Sequence, residues 1–304
     1  MFFLTFVKQS SRLLPVILFQ QTNNIAMKIL VIGASGLLAG PVIHKLDESG
    51  FGLRLFSRNV KPSMFINDYE IVQGDLFNPA DLGKAMHGCD AVHISVSGVD
   101  ETAATRAILG MAAEKNVRLI SMVSGCTVSE ENRWFDFIDR KFRAEQLIMQ
   151  SGIPYFIFRP TWFFESLEMM VRNGKASILG RQTGTYHWVS AEDFGKMVAR
   201  AYSTGGAENR IYYVYGPEKS GMKELLERYC RKLHPGIEKI SVIPVPMVRV
   251  IAFLTRNRQL KFAASLFGYF EKVSEPEIPE QDPILLGGAD TDFETWIDIK
   301  LQEA

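Results

Sequence analysis

Short apolar runs alternate with longer stretches in which apolar residues recur every three or four positions, and this alternation persists from Ile29 to Phe158. The short runs predict buried strands at Ile29–Ile32, Gly52–Phe56, Glu70–Gln73, Asp90–Val96, Val117–Val123 and Pro154–Phe158. The longer stretches predict a helix ending near Leu46 and others over Pro79–His87, Glu101–Lys115 and Trp134–Gln150, with Asn78 and Pro79 as a start signal for Pro79–His87. Strands and helices alternating at this spacing build a parallel sheet covered on both faces, and ligands of such sheets sit beyond the carboxyl ends of the strands. The expected fold class is α/β, a doubly wound parallel sheet with a smaller C-terminal substrate-binding α/β region.

From about residue 161 the pattern loosens. It predicts strands at Tyr186–Ser190 and Arg210–Tyr215, and helices at Ala191–Tyr202 (Asp193 in the first turn), Met222–Lys232 and Phe293–Ile299. Met247–Phe270 holds two apolar-periodic segments broken near Thr255–Gln259, interspersed with Arg249, Arg256, Arg258 and Lys261. These read as lid helices over a substrate cleft or as a helix lying on a membrane surface. Ser274–Pro283 reads as an acidic, proline-bearing loop. The division is a core over residues 27–160 and a substrate-binding and lid region over 161–304, interleaved with that core. Residues 1–26 carry Lys8 and Arg12 but no acid, and are set outside the fold as a presequence, a signal-like segment or a start codon upstream of Met27.

The most informative stretch is Ile29-Leu-Val-Ile-Gly33-Ala-Ser-Gly36-Leu-Leu-Ala39-Gly40. Strand, glycine turn and helix in that order bring backbone N–H groups and a helix N-terminus to one point, which suits a phosphate. Gly33 permits the sharp exit from the strand, Gly36 leaves room for a pyrophosphate, and Ala39 allows helix and strand to pack closely. This is the pattern of a Rossmann-type dinucleotide site, although any βα turn favours glycine. At the end of the second strand an NAD site wants an acid for the ribose 2′-hydroxyl. Phe56–Lys61 has none, and Arg58, with Ser35 and Lys61 as further donors, suits the 2′-phosphate of NADP(H); NAD(H) is expected to bind more weakly. The alternative for Arg58 is a solvated surface arginine.

Composition narrows the classes. At 304 residues and 47% hydrophobic the chain buries a full core, and 34 basic against 34 acidic residues leave no net charge to draw nucleic acid. Cys89, Cys126 and Cys230 are widely spaced and read as reduced thiols in a cytoplasm-like compartment, an organelle being the alternative if residues 1–26 are a presequence. No metal-ligand spacing appears, and no apolar run approaches the ~20 residues of a spanning helix.

The chain resembles the atypical or extended short-chain dehydrogenase/reductases, in particular their NAD(P)H-binding NmrA-like branch. The resemblance rests on Gly33-Ala-Ser-Gly36, Ser57-Arg58, Gly74-Asp75-Leu76, Asp90-Ala-Val-His-Ile and Lys141-x-x-Ala144-Glu145, then Ser151-Gly-Ile-Pro-Tyr, Arg159-Pro160-Thr161, Val189-Ser-Ala-Glu-Asp193 and Phe293-Glu-Thr-Trp296. It implies that Asp75 lies by the adenine, that Ser95 and Ser97 line the cofactor cleft, and that Pro160 borders the nicotinamide, with Leu37 and Leu76 in the same set. Asp75 capping a turn and serines satisfying strand ends are the plain alternatives. The family's usual chemistry needs a Tyr-x-x-x-Lys pair one helical turn apart, whose phenol exchanges a proton with the substrate oxygen. Here Lys141 is present but position 137 is Phe, and the register puts Gly125 at the family's serine, leaving Ser124 and Thr127 as nearby hydroxyls. Lys141 then binds ribose or acts directly, or is a surface lysine paired with Glu145. Trp162, Phe163, Phe164, Tyr186 and Trp188 fall on the expected substrate side, with core packing as their alternative; His187 reads as an acid reaching the cleft or as a satisfied strand histidine.

The expected function is an NADPH-dependent oxidoreductase or isomerase acting on a small apolar carbonyl or enone-like substrate, as a monomer or homodimer. A non-catalytic NADP(H) sensor of NmrA type is the alternative, and a membrane-associated assembly subunit a third reading.

Overall fold

In the computed structural model, which describes residues 27–204, 208–277 and 286–303, the apolar runs become strands of one sheet. The expectations for residues 1–26 and for the second half of Ser274–Pro283 lie outside the described residues. The first six strands are β1 (Lys28–Ile32), β2 (Gly52–Ser57), β3 (Glu70–Gln73), β4 (Ala91–Ile94), β5 (Leu119–Val123) and β6 (Tyr155–Pro160). Between them run α1 (Ala39–Glu48), α2 (Pro79–Met86), α3 (Glu101–Glu114) and α4 (Asp136–Met149). Then come β7 (Val171–Arg172), β8 (Lys175–Leu179), β9 (Thr185–Trp188), α5 (Ala191–Ser203) and β10 (Arg210–Val214). The rest are β11 (Glu218–Gly221), α6 (Met222–Leu233), β12 (Ile240–Ile243), α7 (Val245–Leu254), α8 (Arg258–Phe270) and a C-terminal helix, Phe293–Glu303.

Seven strands pair in parallel in the order β10-β6-β5-β4-β1-β2-β3. Alternation along β1 shows why both faces are covered. Leu30 and Ile32 pack with Leu82, Ile108 and Ile148 of α2, α3 and α4. Ile29 and Val31 pack with Val42 and Leu46 of α1 and with Phe194 and Val198 of α5. The order reverses between β1 and β4, which opens the crevice where such sheets hold their ligands. Side-chain caps set the helix starts: Asn78 accepts from the Ala80 N–H, Asp100 from Ala103 and Ser190 from Asp193.

Beyond β6 the chain contributes β10 to the sheet and α5 to one of its faces, and otherwise builds a smaller layer. There β8 pairs with β7 and β12, and β9 with β11. Its own core is aromatic, with Phe164, Tyr186, Trp188, Phe293 and Trp296 all buried. The core reading therefore holds for Phe164, Tyr186 and Trp188, which do not face open substrate space.

One buried string crosses the sheet away from the crevice. The His93 ring Nδ1 and Tyr202 hydroxyl both meet the Ser121 hydroxyl, each at 2.7 Å. Burial pulls the His93 pKa down to about 4. A folded-state value below the unfolded one gives stability that is intact above pH 6.5 and is lost as pH falls from 6.5 toward about 4. The full loss from this group is about 3 kcal/mol. Urea unfolding near neutrality and near pH ~4.5 checks it: wild type is expected to lose more stability over that interval than His93→Leu.

Candidate functional site

The cofactor groove begins at the end of β1. Gly33 has φ +87°, and a Cβ there would lie 2.0 Å from the Ser95 carbonyl oxygen, so only glycine lets the chain turn against β4. The turn closes with the Gly36 N–H donating to the Gly33 carbonyl at 2.9 Å. Gly36 is exposed, and α1 starts after Leu38 with no side-chain cap; the Ala39 N–H donates to the Gly36 carbonyl at 3.1 Å and Pro41 has no N–H, which leaves Gly40 to offer its N–H in the first turn. The cradle fits a pyrophosphate: a side chain at Gly36 would fill it, and the helix end favours negative charge.

The turn opens into a cleft of about 260 Å³ whose wall includes Gly33, Ser35, Gly36, Ser57, Arg58, Gly74, Asp75, Leu76, Ser95 and Ser97. Eight of the sequence-derived cofactor residues are thus brought together: Gly33, Ser35, Gly36, Arg58, Asp75, Leu76, Ser95 and Ser97. At its ribose end the Ser35 and Ser57 hydroxyls lie 2.9 Å apart, next to the exposed Arg58, which forms no ion pair among the described residues. Ser57 was named only within the Ser57-Arg58 motif; its position opposite Ser35 follows from the β1–β2 register, which pairs Ile32 with Phe56. The Asp75 carboxylate accepts from the Phe77 N–H at 3.0 Å, so Asp75 both caps a turn and lines the cleft. Leu37 is 56% exposed beside the turn but is not part of this wall, and Lys141 and Pro160 lie outside it as well.

At the other end of the crevice the groups that handle protons in the family are held elsewhere. Phe137 and Lys141 share one face of α4, with the Lys141 ammonium 5.2 Å from the Phe137 ring centre. Phe137 packs against Phe262 of α8 at 5.3 Å between centres. Lys141 is buried and paired at 3.1 Å with Glu101 at the start of α3. The surface pairing of Lys141 with Glu145 is therefore corrected: Glu145 lies on the sheet side of the helix and grips Arg159 of β6. The Arg159 Nε donates to Glu145 Oε1 at 3.0 Å and its Nη2 to Oε2 at 2.5 Å. Ser124 donates to the same carboxylate at 2.5 Å. Burial raises the Glu101 pKa, with the Lys141 charge opposing the shift.

Thr127 lines a second cleft of about 380 Å³ with Cys126, Asn132, Tyr213, Lys272 and Pro276, over the ends of β5, β6 and β10. Pro160 is buried at the end of β6, its carbonyl accepting from the Cys126 N–H at 2.9 Å. Phe163 is buried against Phe194, 5.5 Å between centres, and belongs to the core. Trp162 is half-buried under Phe267 and Phe270 of α8, its indole N–H without a hydrogen bond among the described residues. His187 is held by Glu275, whose Oε2 meets the His187 Nδ1 at 2.6 Å and accepts from its backbone N–H at 2.9 Å. Thr161 donates to the other oxygen of Glu275. Glu275 is the residue that the sequence did not single out. It stands in the strap after α8, and only the folded chain brings Thr161, His187 and Glu275 together. No cluster of metal-binding side chains occurs among the described residues.

A doubly wound parallel sheet with a glycine-cradled groove at its switch point defines a Rossmann-type dinucleotide-binding protein. Residues 33–203 match the model of the NAD(P)H-binding family, more than half of the chain, and the chain belongs to that family. That membership agrees with the resemblance to the NAD(P)H-binding NmrA-like branch of the atypical short-chain dehydrogenase/reductases that the motifs carry. Among curated relatives it is 24% identical over 260 residues to the photosystem II assembly factor Ycf39 of Trieres chinensis, covering 81% of this chain and 77% of the relative. It is 29% identical over 209 residues to the (4-alkanoyl-5-oxo-2,5-dihydrofuran-3-yl)methyl phosphate reductase of Streptomyces griseus subsp. griseus, covering 67% and 73%. Among solved structures, the Citrobacter sp. triphenylmethane reductase complexed with NADP(H) superposes with a TM-score of 0.71 at 20% identity, over 88% of this chain and 98% of that one.

Proposed function

We propose that the chain is an NADPH-dependent reductase of small, largely apolar acceptors in which a carbonyl is conjugated to a double bond. The observation that carries this reading is the groove: a glycine cradle leading to Ser35, Ser57 and Arg58, which forms no ion pair among the described residues, with no acid in Phe56–Lys61 at the end of β2. The nicotinamide supplies a hydride when the cofactor is bound. The chain holds the pyrophosphate on the turn from Gly33 to Gly36, and its cation at position 58 selects the 2′-phosphate. Lys141, Ser124 and His187 are each held by a carboxylate, and Phe137 offers no hydroxyl. A saturated ketone needs a positioned acid as the hydride arrives. A conjugated acceptor spreads the charge over its own oxygen and takes its proton from water, so this site suits it. The dihydrofuranone named in the Streptomyces griseus relative is such an acceptor.

Arg58→Ala is expected to weaken NADPH binding about ten-fold or more and leave NADH unchanged, since a charge-assisted bond is worth about 1.5–3 kcal/mol. Titration of both cofactors measures it, and equal wild-type affinities would remove the 2′-phosphate assignment. For turnover, NADPH oxidation is followed with enones, quinones, saturated ketones and aldehydes. The reading expects the first two classes to react and the others not to. Binding of both redox forms without any turnover selects the sensor reading, which Phe137 favours because it removes chemistry without removing binding. Phe137→Tyr then tests the missing phenol directly, because general acid assistance contributes about 10²–10⁴-fold to a carbonyl reduction.

A further inference from the structure

The α7–α8 hairpin carries an apolar surface that the reductase reading does not use. Along α7, Val245, Val248 and Ala252 form one buried stripe that faces α8. Met247, Val250, Ile251 and Leu254 form another at the i, i+3, i+4, i+7 spacing of a single helix face, and these side chains are 50%, 58%, 42% and 73% exposed. Phe253 beside them is 82% exposed, and every residue from Phe253 to Gln259 at the end of the hairpin is open to solvent. An apolar surface of this kind marks an interaction site.

Its rim is basic. Arg249, Arg256, Arg258 and Lys261 surround the stripe, and none forms an ion pair among the described residues. No acidic residue occurs from Lys239 to Phe270, although the chain as a whole has 34 acids and 34 bases. We propose that this hairpin docks on an anionic bilayer surface, with the exposed stripe entering the headgroup–acyl boundary and the cations meeting lipid phosphates. Charge decides the occupant. A second copy of the hairpin brings the same sign, and so does the segment over residues 1–26, which has Lys8 and Arg12 and no acid. An amphipathic helix with an apolar face and interspersed cations is what an interfacial anchor requires. No helix among the described residues is long and apolar enough to cross a membrane.

Co-sedimentation of the full chain with phosphatidylcholine vesicles, alone or with phosphatidylglycerol added, tests this. Binding is expected to be at least ~10-fold tighter to the anionic vesicles and to weaken as salt rises. Phe253→Glu combined with Leu254→Glu should abolish it, and Arg256→Glu combined with Arg258→Glu should weaken it ~10-fold or more. NADPH titration and thermal unfolding confirm that each variant is folded. The proposal fails if folded wild type ignores anionic vesicles. It fails equally if the Glu variants bind as wild type does, which would place the contact on residues 1–26, or if neutral vesicles bind as well as anionic ones.

Discussion

Gly36→Val is expected to abolish NADPH binding, a loss of at least ~100-fold, while unfolding stays within about 1 kcal/mol of wild type. Gly36 is exposed at the mouth of the groove, and a Cβ there would meet only the Gly33 carbonyl oxygen at 3.2 Å and the Ser95 carbonyl oxygen at 3.9 Å. The valine methyl groups would then stand where the pyrophosphate must approach the backbone. Calorimetry with NADPH, beside thermal unfolding of the same preparation, separates binding from folding. Unchanged affinity would show that the nucleotide does not rest on this turn. The neighbouring glycine makes a useful contrast. At Gly33 the positive φ and the 2.0 Å approach to Ser95 mean that even Gly33→Ala disrupts the turn itself.

Removing the acid beneath the crevice is expected to cost the most stability. Glu145→Ala should destabilise the fold by about 3–5 kcal/mol, the usual result of leaving one member of a buried ion pair behind. The Glu145 side chain is fully buried and that of Arg159 is 12% exposed. Without Glu145, the Arg159 guanidinium keeps the Tyr213 hydroxyl at 2.6 Å but loses both carboxylate contacts, and Ser124 loses its acceptor. Glu145→Leu combined with Arg159→Met should recover much of that loss, because the charge is removed along with its partner. Urea unfolding measures both. A single-variant loss below about 1 kcal/mol would mean that water reaches the pair.

Much of the fold was legible because its information is local. Each strand of the first half announces itself by a branched apolar run, and each helix by a three- or four-residue apolar period, with Asn78 and Pro79 marking α2. The turn from Gly33 to Gly36 was equally local, since strand, turn and helix are contiguous. What escaped the sequence joins distant residues. The strand Ile240–Ile243 acquires meaning only by pairing with Lys175–Leu179, and Glu218–Gly221 only by pairing with Thr185–Trp188. The same holds at the site. The i,i+4 rule paired Lys141 with Glu145, but the fold offered Lys141 a buried acid on another helix and offered Glu145 a guanidinium on the sheet. The described part of the acidic loop, Ser274–Glu277, is irregular as expected, yet nothing in its composition says that Glu275 turns inward to His187 and Thr161. The aromatic residues after Pro160 had two readings, and burial chose the core for Phe163 and Phe164.

The uncapped start of α1 has a further consequence. Three helices of the sheet, α2, α3 and α5, carry their caps in the sequence as Asn78, Asp100 and Ser190; α1, like α4, does not, and of these two only α1 starts at the groove. On the proposed reading, a nucleotide phosphate seated at this turn supplies from outside the partner that no side chain gives the helix start. Since the unfolded chain offers no such seat, bound nucleotide shifts the folding equilibrium by mass action, about 2.7 kcal/mol when the ligand stands at ~100 times its dissociation constant. The cellular supply of reduced dinucleotide would thereby govern the lifetime of the polypeptide as well as any reaction it performs.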